Sequence, residues 1–380
     1  MSMSYNFIKF TCKKEDICSA ISNVSKAVSQ KSPIAALEGI KVRLEENSLE
    51  LTGYDLEIGI ITSVECTSEC GSDGECRGEW ILNSRLFSEI TRRMPSEYIS
   101  YEIDENLNMK IFGGQAEYQI SAISAQEYPA IPEFENDRGV SVSQTVLKSM
   151  IDQSNYAVSL NDSKPVLTGE LFDIENGSFN MVAVDGFRLA IRHEKQSSQE
   201  NFYFVVPSKA LLEASRLLKD DAEKECEIFV NTKHVVFSVN GCRIFARLLE
   251  GDFVKYKNSI PNTFKTEITV NTRELIHCLE RCSLILSEKN KAPVKCCFEN
   301  DQIRVSCRTA VGSFDDAVPA QINGENIVIG FNNKFLLDSL RAADSDLVKI
   351  QMNEPNKAVK IIPPDGDSFT FIIMPIQIRG

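Results

Sequence analysis

The 380-residue chain contains no long apolar run and no recognisable export signal. Hydrophobic residues make up 43% of it, yet they never approach the ~18 consecutive apolar positions that a membrane-spanning helix needs. The opening residues, MSMSYNFIKFTCKK, lack the basic segment followed by an apolar one that marks secretion. The sequence therefore predicts a cytoplasmic globular protein with no membrane segment, long enough for two or three domains.

Signatures of catalysis are also missing. The chain has no G-x-S-x-G, Walker loop, HExxH or paired Cys/His motif, and its three histidines, His193, His234 and His277, are isolated. Asp185 beside Arg188 resembles a catalytic acid, but Asp55 occupies the same place in an internal repeat. A repeated Asp is more simply a turn residue that bonds local backbone. The sequence predicts a protein that is not an enzyme.

The twelve cysteines are scattered, and without an export signal we expect them to be reduced thiols. Cys66, Cys70 and Cys76 form the one tight group. It could be a metal loop or the tip of a hairpin. Structural zinc usually has four Cys or His ligands, and no fourth ligand is near in sequence. This favours the hairpin, and we predict neither a metal nor a cofactor.

The chain repeats itself three times. Shifting it by 130 positions places Ala27-Val28-Ser29 on Ala157-Val158-Ser159 and Asp55 on Asp185. A third copy starts near Ile268, where ITVNTRELIHCLERCSLILS repeats VSVSQTVLKSMIDQSNYAVS at an offset of 128. The second half of each unit repeats as well. There WILNSRLFSEITRRM, FVVPSKALLEASRLL and IVIGFNNKFLLDSLRAA each join an apolar strand to a helix, with predicted N-caps at Ser84, Ser208 and Asn332.

These repeats define three homologous subdomains, which we place at residues 1–132, 133–261 and 262–380, with Pro-containing joins. Each contains two helices with apolar spacing of 3.6 residues and several alternating strands. A single amphipathic helix cannot bury its apolar stripe alone and must lie on a sheet. The predicted fold class is therefore α+β, with two helices packed on antiparallel sheet in each subdomain.

The net charge is -13, which argues against nucleic-acid binding unless the basic residues are segregated. The basic residues are segregated. The second helix of each subdomain carries a basic pair seven residues apart, which puts both members on one face. The pairs are Arg85 and Arg92, Lys209 and Arg216, and Lys334 and Arg341. A solvated surface would explain one such face, but three repeated faces favour contact with the backbone of an anionic polymer. Leu86, Phe87, Ile90 and Met94 of the first helix, and Leu211, Leu212 and Leu218 of the second, are expected on the opposite, buried side.

Five segments in order carry a resemblance to a known family. They are KPVLTGELFDI (164–174), AVDGFRLAI (183–191), LLEGDFVKYKNSIP (248–261), GFNNKFLLDSL (330–340) and IIMPIQIR (372–379). With the threefold repeat, the whole chain resembles the bacterial sliding clamp, the beta subunit of DNA polymerase III. The resemblance implies a ring of two head-to-tail protomers, a homodimer whose helices line a hole for duplex DNA. DNA would be held by topology, without sequence preference.

The resemblance also implies a pocket for a short peptide motif of polymerase subunits, the clamp loader and other partners. Its lining would be Leu167, Val184, Gly186, Phe187, Arg188, Leu189, Val254, Asn258, Ser259, Phe335, Ile372, Ile373, Met374, Pro375 and Ile376. The family often has His, Pro and Arg where Phe187, Val254 and Asn258 stand; these departures concern the pocket's partner preference and not its existence. Leu167 and Leu189 could equally be core residues.

Further residues complete the predicted sites, and those of the dimer interface follow from the same resemblance. Lys31, Lys164 and Lys291, in the loop after each first helix, would join the basic pairs in contacting DNA. Tyr118 and Ile120 on an edge strand would meet Ile285 and Leu286, on the first helix of the third subdomain, at the dimer interface. Core packing is the alternative for Ile285 and Leu286. The alternative function is a non-enzymatic scaffold that does not encircle DNA.

Overall fold

The computed structural model describes residues 7–70, 76–131, 138–161, 163–196, 200–286 and 292–378. The α-helices in these ranges are α1 (Lys14–Val24), α2 (Ser84–Arg93), α3 (Gln144–Ser154), α4 (Ser208–Leu217), α5 (Thr272–Ser283) and α6 (Asn333–Ala342). The strands are β1 (Phe7–Lys13), β2 (Gly39–Glu45), β3 (Ser48–Tyr54), β4 (Ile58–Cys70), β5 (Arg77–Asn83), β6 (Tyr98–Asp104), β7 (Asn108–Gly113), β8 (Ala116–Ser121), β9 (Ile123–Ser124), β10 (Gly139–Ser143), β11 (Gly169–Glu175), β12 (Ser178–Val184), β13 (Arg188–Lys195), β14 (Phe202–Pro207), β15 (Glu225–Val230), β16 (His234–Val239), β17 (Cys242–Arg247), β18 (Thr266–Asn271), β19 (Val294–Glu299), β20 (Gln302–Thr309), β21 (Gly312–Gly324), β22 (Ile327–Phe331), β23 (Leu347–Met352), β24 (Val359–Ile362) and β25 (Phe369–Ile373). The predicted α+β class is confirmed.

The chain divides into two compact units, and this division cuts through the middle repeat. One unit comprises Met1–Gln144 with Arg216–Arg247, and the other comprises Thr145–Ser215 with Leu248–Gly380. The first unit therefore holds the first repeat together with strands β10, β15, β16 and β17 of the middle one. The reason is strand pairing: β17 of the middle repeat joins β4, whereas β13 of the same repeat joins β25.

The first unit has one antiparallel sheet with the main order β10-β15-β16-β17-β4-β1-β6-β7-β8, from which β2, β3, β5 and β9 branch. Helix α1 packs on β4 and against α2. Beneath these elements Phe10 is fully buried, with its ring 4.9 Å from that of Tyr101 and 5.7 Å from that of Trp80. Alternating strands and the 3.6-residue helix period thus bury one common face.

The second unit has a sheet of order β14-β11-β12-β13-β25-β24-β23-β18-β21-β20-β19-β22. Its hairpins depend on short turns: Asn176 and Gly177 link β11 to β12 with φ of 51° and 79°. Positive φ at both central residues gives the type of turn whose twist matches an antiparallel pair. The resulting sheet carries α5 and α6, which pack on each other over a core of buried aliphatic and cysteine side chains.

A buried polar cluster connects β11 to α3 and α4 in this unit. The Glu170 carboxylate is fully buried and accepts hydrogen bonds from Ser154 Oγ and from Asn155 Nδ2 (2.5 Å). Ser208 Oγ donates to Asn155 Oδ1 at 2.9 Å. Burial raises the pKa of Glu170 to about 8 despite these donors. The carboxyl group is therefore mostly neutral at pH 7.

The predicted helix starts are right for one helix and shifted for the other two. Asn332 caps α6 as predicted, with its side chain accepting the Lys334 N–H at 3.0 Å. In α2, however, the cap is Asn83, which accepts the Leu86 N–H at 3.0 Å. Ser208 is already the first residue of α4. Asn83 and Ser84 are both good N-cap residues, and in α2 the cap is Asn83.

The expectation that all the cysteines are reduced is wrong for one pair. Cys70 and Cys76 form a disulfide with a Cα–Cα distance of 5.7 Å, because the ends of β4 and β5 approach within bridging range. The intervening tip, residues 71–75, lies outside the described residues. Cys66 is a buried free thiol opposite Cys12 in the strand register. With Cys70 and Cys76 bonded to each other, the three cysteines cannot form the metal loop considered above.

The described ranges contain no candidate membrane-spanning helix and no candidate metal-binding group. Across those residues, no helix is long and apolar enough to cross a membrane. Over the same part of the chain, no group of three or more His, Cys, Asp or Glu side chains is arranged to hold a metal ion.

Candidate binding sites

The turn that leads into β13 is built by Asp185. Its Oδ1 accepts the N–H groups of Phe187 (2.9 Å) and Arg188 (3.0 Å), while Gly186 adopts a φ of 91° that favours glycine. Asp55 does the same before β4, accepting two backbone N–H groups at 2.9 and 2.8 Å. The repeated Asp is therefore a turn residue, as the sequence predicted.

Arg188 is the fixed centre of the VDGFR segment. Its side chain is 7% exposed, and its guanidinium group contacts Asp185 Oδ2 (Nε, 2.9 Å) and Asp338 Oδ2 (Nη1, 2.7 Å). The guanidinium carbon also lies 4.5 Å from the centre of the Phe335 ring. Two carboxylates and a ring face thus hold this cation in place, and β13 is joined to α6.

Phe187 stands above this fixed base with 62% of its surface exposed. Its ring stacks on Phe335 with centroids 6.3 Å apart. The Phe187 carbonyl accepts the Met374 N–H at 2.8 Å, which extends the β13–β25 pairing past the end of β25. Ile376 N–H then donates to the Gly330 carbonyl at 2.7 Å. Exposed aromatic and aliphatic groups are thereby held side by side on an ordered backbone.

The predicted pocket residues separate into an exposed group and a buried group. Exposed or half-exposed are Phe187, Phe335, Val254, Asn258, Ser259, Met374, Pro375 and Ile376. Leu167, Leu189 and Ile372 are buried in one cluster, against which Val184 packs, and Ile373 is buried beside them in the sheet. The buried group therefore supports the exposed group from below, and Leu167 and Leu189 are core residues.

Two residues missed by the sequence reasoning hold the linker against this site. Phe253 and Tyr256 are buried in the same cluster as Leu167 and Ile372. The Tyr256 hydroxyl donates to Asp173 Oδ2 at 2.6 Å. Burial is the main cause that raises the pKa of this phenol. The aromatic spacing in DFVKY was the available signal, because two large apolar residues three apart can anchor one side of a segment.

The basic residues predicted on the helices are exposed. This holds for Arg85, Arg92, Lys209, Arg216, Lys334 and Arg341, and also for Lys31 and Lys164 in the loops. Lys291 lies outside the described residues. Some have acidic neighbours: Arg92 contacts Glu89, and Arg341 contacts Glu280, each at 2.6 Å. Exposed ion pairs of this kind are weak, so both cations remain accessible to a stronger anion.

Phe87, Ile90, Met94, Leu211 and Leu218 are buried as predicted, but two other leucines of these helices are not. Leu86 is 50% exposed and Leu212 is 42% exposed. Leu86 follows Arg85 directly, and Leu212 is three residues from Lys209, so each lies at the border of the basic face. The basic faces of α2 and α4 therefore have an apolar edge.

The residues predicted at the dimer interface lie in two places. Tyr118 (44% exposed) and the partly buried Ile120 are on β8. Ile285 and Leu286 are partly buried and pack against the core, but the prediction that they lie on a helix is wrong, because α5 ends at Ser283. They follow the helix in a turn whose N–H groups bond back to Cys282 and Ser283.

The chain has close matches over its whole length. Family models for the N-terminal, central and C-terminal domains of the DNA polymerase III beta subunit match residues 8–132, 141–255 and 257–377. The beta sliding clamp of Staphylococcus epidermidis is 30% identical over 97% of this chain and 99% of that protein, and a Staphylococcus aureus homologue is 29% identical over the same shares. The solved DNA polymerase sliding clamp of Bacillus subtilis superposes with a TM-score of 0.93 at 28% identity, covering 98% of this chain and all of that one.

The fold and these matches define a protein of three homologous clamp domains. The chain belongs to the DNA polymerase III beta subunit family, the bacterial sliding clamps. It is accordingly a non-catalytic processivity factor of DNA replication and not an enzyme.

Proposed function

We propose that two copies of this chain close head to tail into a ring around duplex DNA, and that partner proteins dock on the surface around Phe187 and Met374. The observation that carries the ring is a seam repeated within the chain. Strand β4 pairs with β17 in the first unit, and β13 pairs with β25 in the second. At each seam, a strand from the first half of one repeat pairs with the last strand of the next repeat.

A third seam of this kind cannot form within a single copy, because no fourth repeat follows to supply the second strand. Strand β21 is the counterpart of β4 and β13, because the turn that precedes it begins at Thr309 in the same way: Thr309 Oγ1 accepts the Val311 N–H at 3.3 Å. Across the described ranges, residues 312–316 of β21 pair with β20 alone, and β8 pairs with β7 alone. Two open strand edges in one chain, each matching half of a seam, favour pairing between copies.

The internal seams also supply the register. Cys242 and Ala116 each follow a two-residue hairpin turn, and Cys242 lies opposite Thr62, seven residues after Asp55. The same spacing from Thr309 gives Asp316, so Ala116 would face Asp316 of the partner subunit. Two residues further along, Tyr118 would then face the partner's Phe314.

This register connects the interface residues predicted from the sequence. Gly312 would face Ile120 of the other copy, and a methyl group added to Gly312 would lie 4.0 Å from Ile285 Cγ2. In the first unit, the inward pair equivalent to Phe314 and Tyr118 is Ile60 and Ile244. Both of these side chains are fully buried. Closing the ring would accordingly bury Tyr118, Ile120 and Phe314 in an apolar strip.

DNA would be held by enclosure. The candidate contacts are Lys31, Arg85, Arg92, Lys164, Lys209, Arg216, Lys291, Lys334 and Arg341. Their side chains would contact phosphates without reading bases, and each neutralised phosphate makes binding more sensitive to salt. The net charge of -13 lowers the overall attraction for DNA, which suits a ring that must slide in the cytoplasm. We place the subdomains of this ring at residues 1–132, 133–261 and 262–380.

The surface around Phe187 suits a short peptide with apolar anchors. Polymerase subunits and the clamp loader are the partners we propose. The neighbouring cation, Arg188, is already engaged by two carboxylates, which leaves aromatic, aliphatic and backbone groups to recognise the ligand. The exposed or half-exposed lining would be Gly186, Phe187, Val254, Asn258, Ser259, Phe335, Met374, Pro375 and Ile376. The buried or partly buried Leu167, Val184, Arg188, Leu189, Ile372 and Ile373 would support it from below.

Cross-linking tests the ring directly. In the double variant Tyr118→Cys/Phe314→Cys, oxidation should trap a covalent dimer on a non-reducing gel, since facing strand residues lie within disulfide range. The two single variants keep all the native cysteines and serve as matched controls. The trapped ring should also stay on closed circular DNA in high salt and leave once the DNA is cut. A protein that is monomeric at every concentration, or released from the intact circle, would overturn the proposal.

A further inference from the structure

One position of the proposed seam differs in kind from its two counterparts within the chain. On the face of the sheet away from the inward pair, Ile61 lies opposite Arg243 in the first unit. The equivalent pair in the second unit is Ile191 opposite Thr370. Each internal seam thus pairs an apolar side chain with a cation or a hydroxyl group.

The corresponding residues at the seam between copies are both acidic. Asp315 follows Thr309 by six residues, as Ile61 follows Asp55 and Ile191 follows Asp185. Glu117 is the residue after Ala116, as Arg243 is the residue after Cys242. Both Asp315 and Glu117 are exposed in the single chain. The register places them directly opposite each other.

We propose that the Glu117 carboxylate opposes the partner's Asp315 at each of the two seams and keeps ring closure reversible. The inference rests on the proposed head-to-tail ring. Directly opposed like charges destabilise an antiparallel pair, and the apolar strip of Tyr118 and Phe314 holds the same strands together. The seam therefore combines an attractive inner face with a repulsive outer face.

Nearby cations weaken this repulsion, but none lies directly opposite Glu117 or Asp315 in the strand register of the single chain. Arg304 contacts Asp315 with Nε–Oδ1 and Nη2–Oδ1 distances of 3.0 Å. Arg308, which lies opposite Ser313, is the diagonal neighbour of Asp315 on the same face of the sheet, and it takes part in none of the ion pairs of the described residues. Lys110 on β7 lies opposite Gln119 and not Glu117. Within the described residues, Glu117 takes part in none of the ion pairs found.

Salt and charge variants test the pair. The dimer dissociation constant, measured by sedimentation, should fall as NaCl rises from about 0.05 to 0.5 M, because salt screens exposed charges. Glu117→Gln should tighten the dimer about threefold at low salt, and Glu117→Arg about tenfold, since each ring has two such pairs. Glu105→Gln is the matched control: it removes the same charge from an exposed turn on the same sheet.

A double-mutant cycle identifies the partner carboxylate. The gain from Glu117→Arg should shrink when Asp315 is also changed to Asn, because the new cation then loses its opposite charge. The inference is overturned if Glu117→Gln and Glu105→Gln act alike, or if Glu117→Gln loosens the dimer. In either case the ring itself would still stand if the Tyr118–Phe314 cross-link forms. Absence of any dimer would instead refute the proposed ring.

Discussion

Truncating Phe187 to alanine should separate peptide binding from folding. The side chain is 62% exposed and stacks on Phe335 with ring centroids 6.3 Å apart. An aromatic pair contributes ~0.5–1.5 kcal/mol, so the free energy of unfolding should fall by about 1 kcal/mol. The backbone bond from Met374 N–H to the Phe187 carbonyl does not depend on the ring. The C-terminal strand should therefore keep its place.

The loss of binding should be larger. An aromatic anchor at the centre of a peptide interface typically carries at least about 2 kcal/mol, which corresponds to roughly a 30-fold rise in Kd. Fluorescence anisotropy with a labelled peptide from a polymerase subunit measures this change, and urea unfolding measures stability. Tyr98→Ala is the matched control, because Tyr98 is 55% exposed and lies in the other unit.

The reasoning would be refuted by a Phe187 variant that binds the peptide as tightly as the Tyr98 variant does. It would also be refuted if both variants lost binding together, since that would indicate a general effect of removing surface aromatic groups. A large fall in stability for Phe187→Ala, well above about 1 kcal/mol, would mean that the ring is structural. Its exposure would then be a poor guide to its role.

Three further predictions concern the C-terminus, the basic faces and the buried acid. Deleting residues 374–380 should abolish peptide binding but leave the dimer mass in sedimentation unchanged, because Met374 and Ile376 contribute exposed apolar groups to the site; binding that survives would locate the peptide elsewhere. Changing Arg85, Lys209 and Lys334 together to Glu should weaken binding to a short open duplex without altering the circular dichroism spectrum, because all three side chains are exposed. The wild-type protein should itself bind this duplex weakly and lose it at moderate salt. Nanomolar, sequence-selective binding to the open duplex would contradict the proposal that DNA is held by enclosure. Burial raises the pKa of Glu170 from 4.5 to about 8, so between these pH values the folded state keeps a proton that the unfolded chain releases. The free energy of unfolding should therefore fall by a few kcal/mol as pH rises from the lower value to the higher, and level off above it. Urea titrations at each pH measure this profile, and Glu170→Gln should flatten it.

Local features were the ones that the sequence could predict. The Asp185 turn, the Asn332 cap and the buried faces of α2 and α4 depend on residues within a few positions of one another. Short-range sterics and hydrogen bonding decide such features, so periodicity and residue type suffice. Where two adjacent residues had similar propensity, as Asn83 and Ser84 do for capping, the prediction shifted by one position.

Contacts between residues far apart in sequence could not be predicted. Arg188 meets Asp338 across 150 positions, and Tyr256 meets Asp173 across 83; neither partner could be chosen from pattern alone. The disulfide between Cys70 and Cys76 likewise depended on how the ends of β4 and β5 converge. The prediction also extended α5 past its end at Ser283.

The sequence by itself determined the threefold repeat, the α+β class and the basic pair on the second helix of each repeat, because each recurs at a regular spacing along the chain. Only the tertiary structure decided which strands pair between repeats and which edges stay open in the single copy. Antiparallel register depends on hydrogen bonds between segments far apart in sequence. It is this pairing of β4 with β17 and of β13 with β25 that brings distant halves of the chain together.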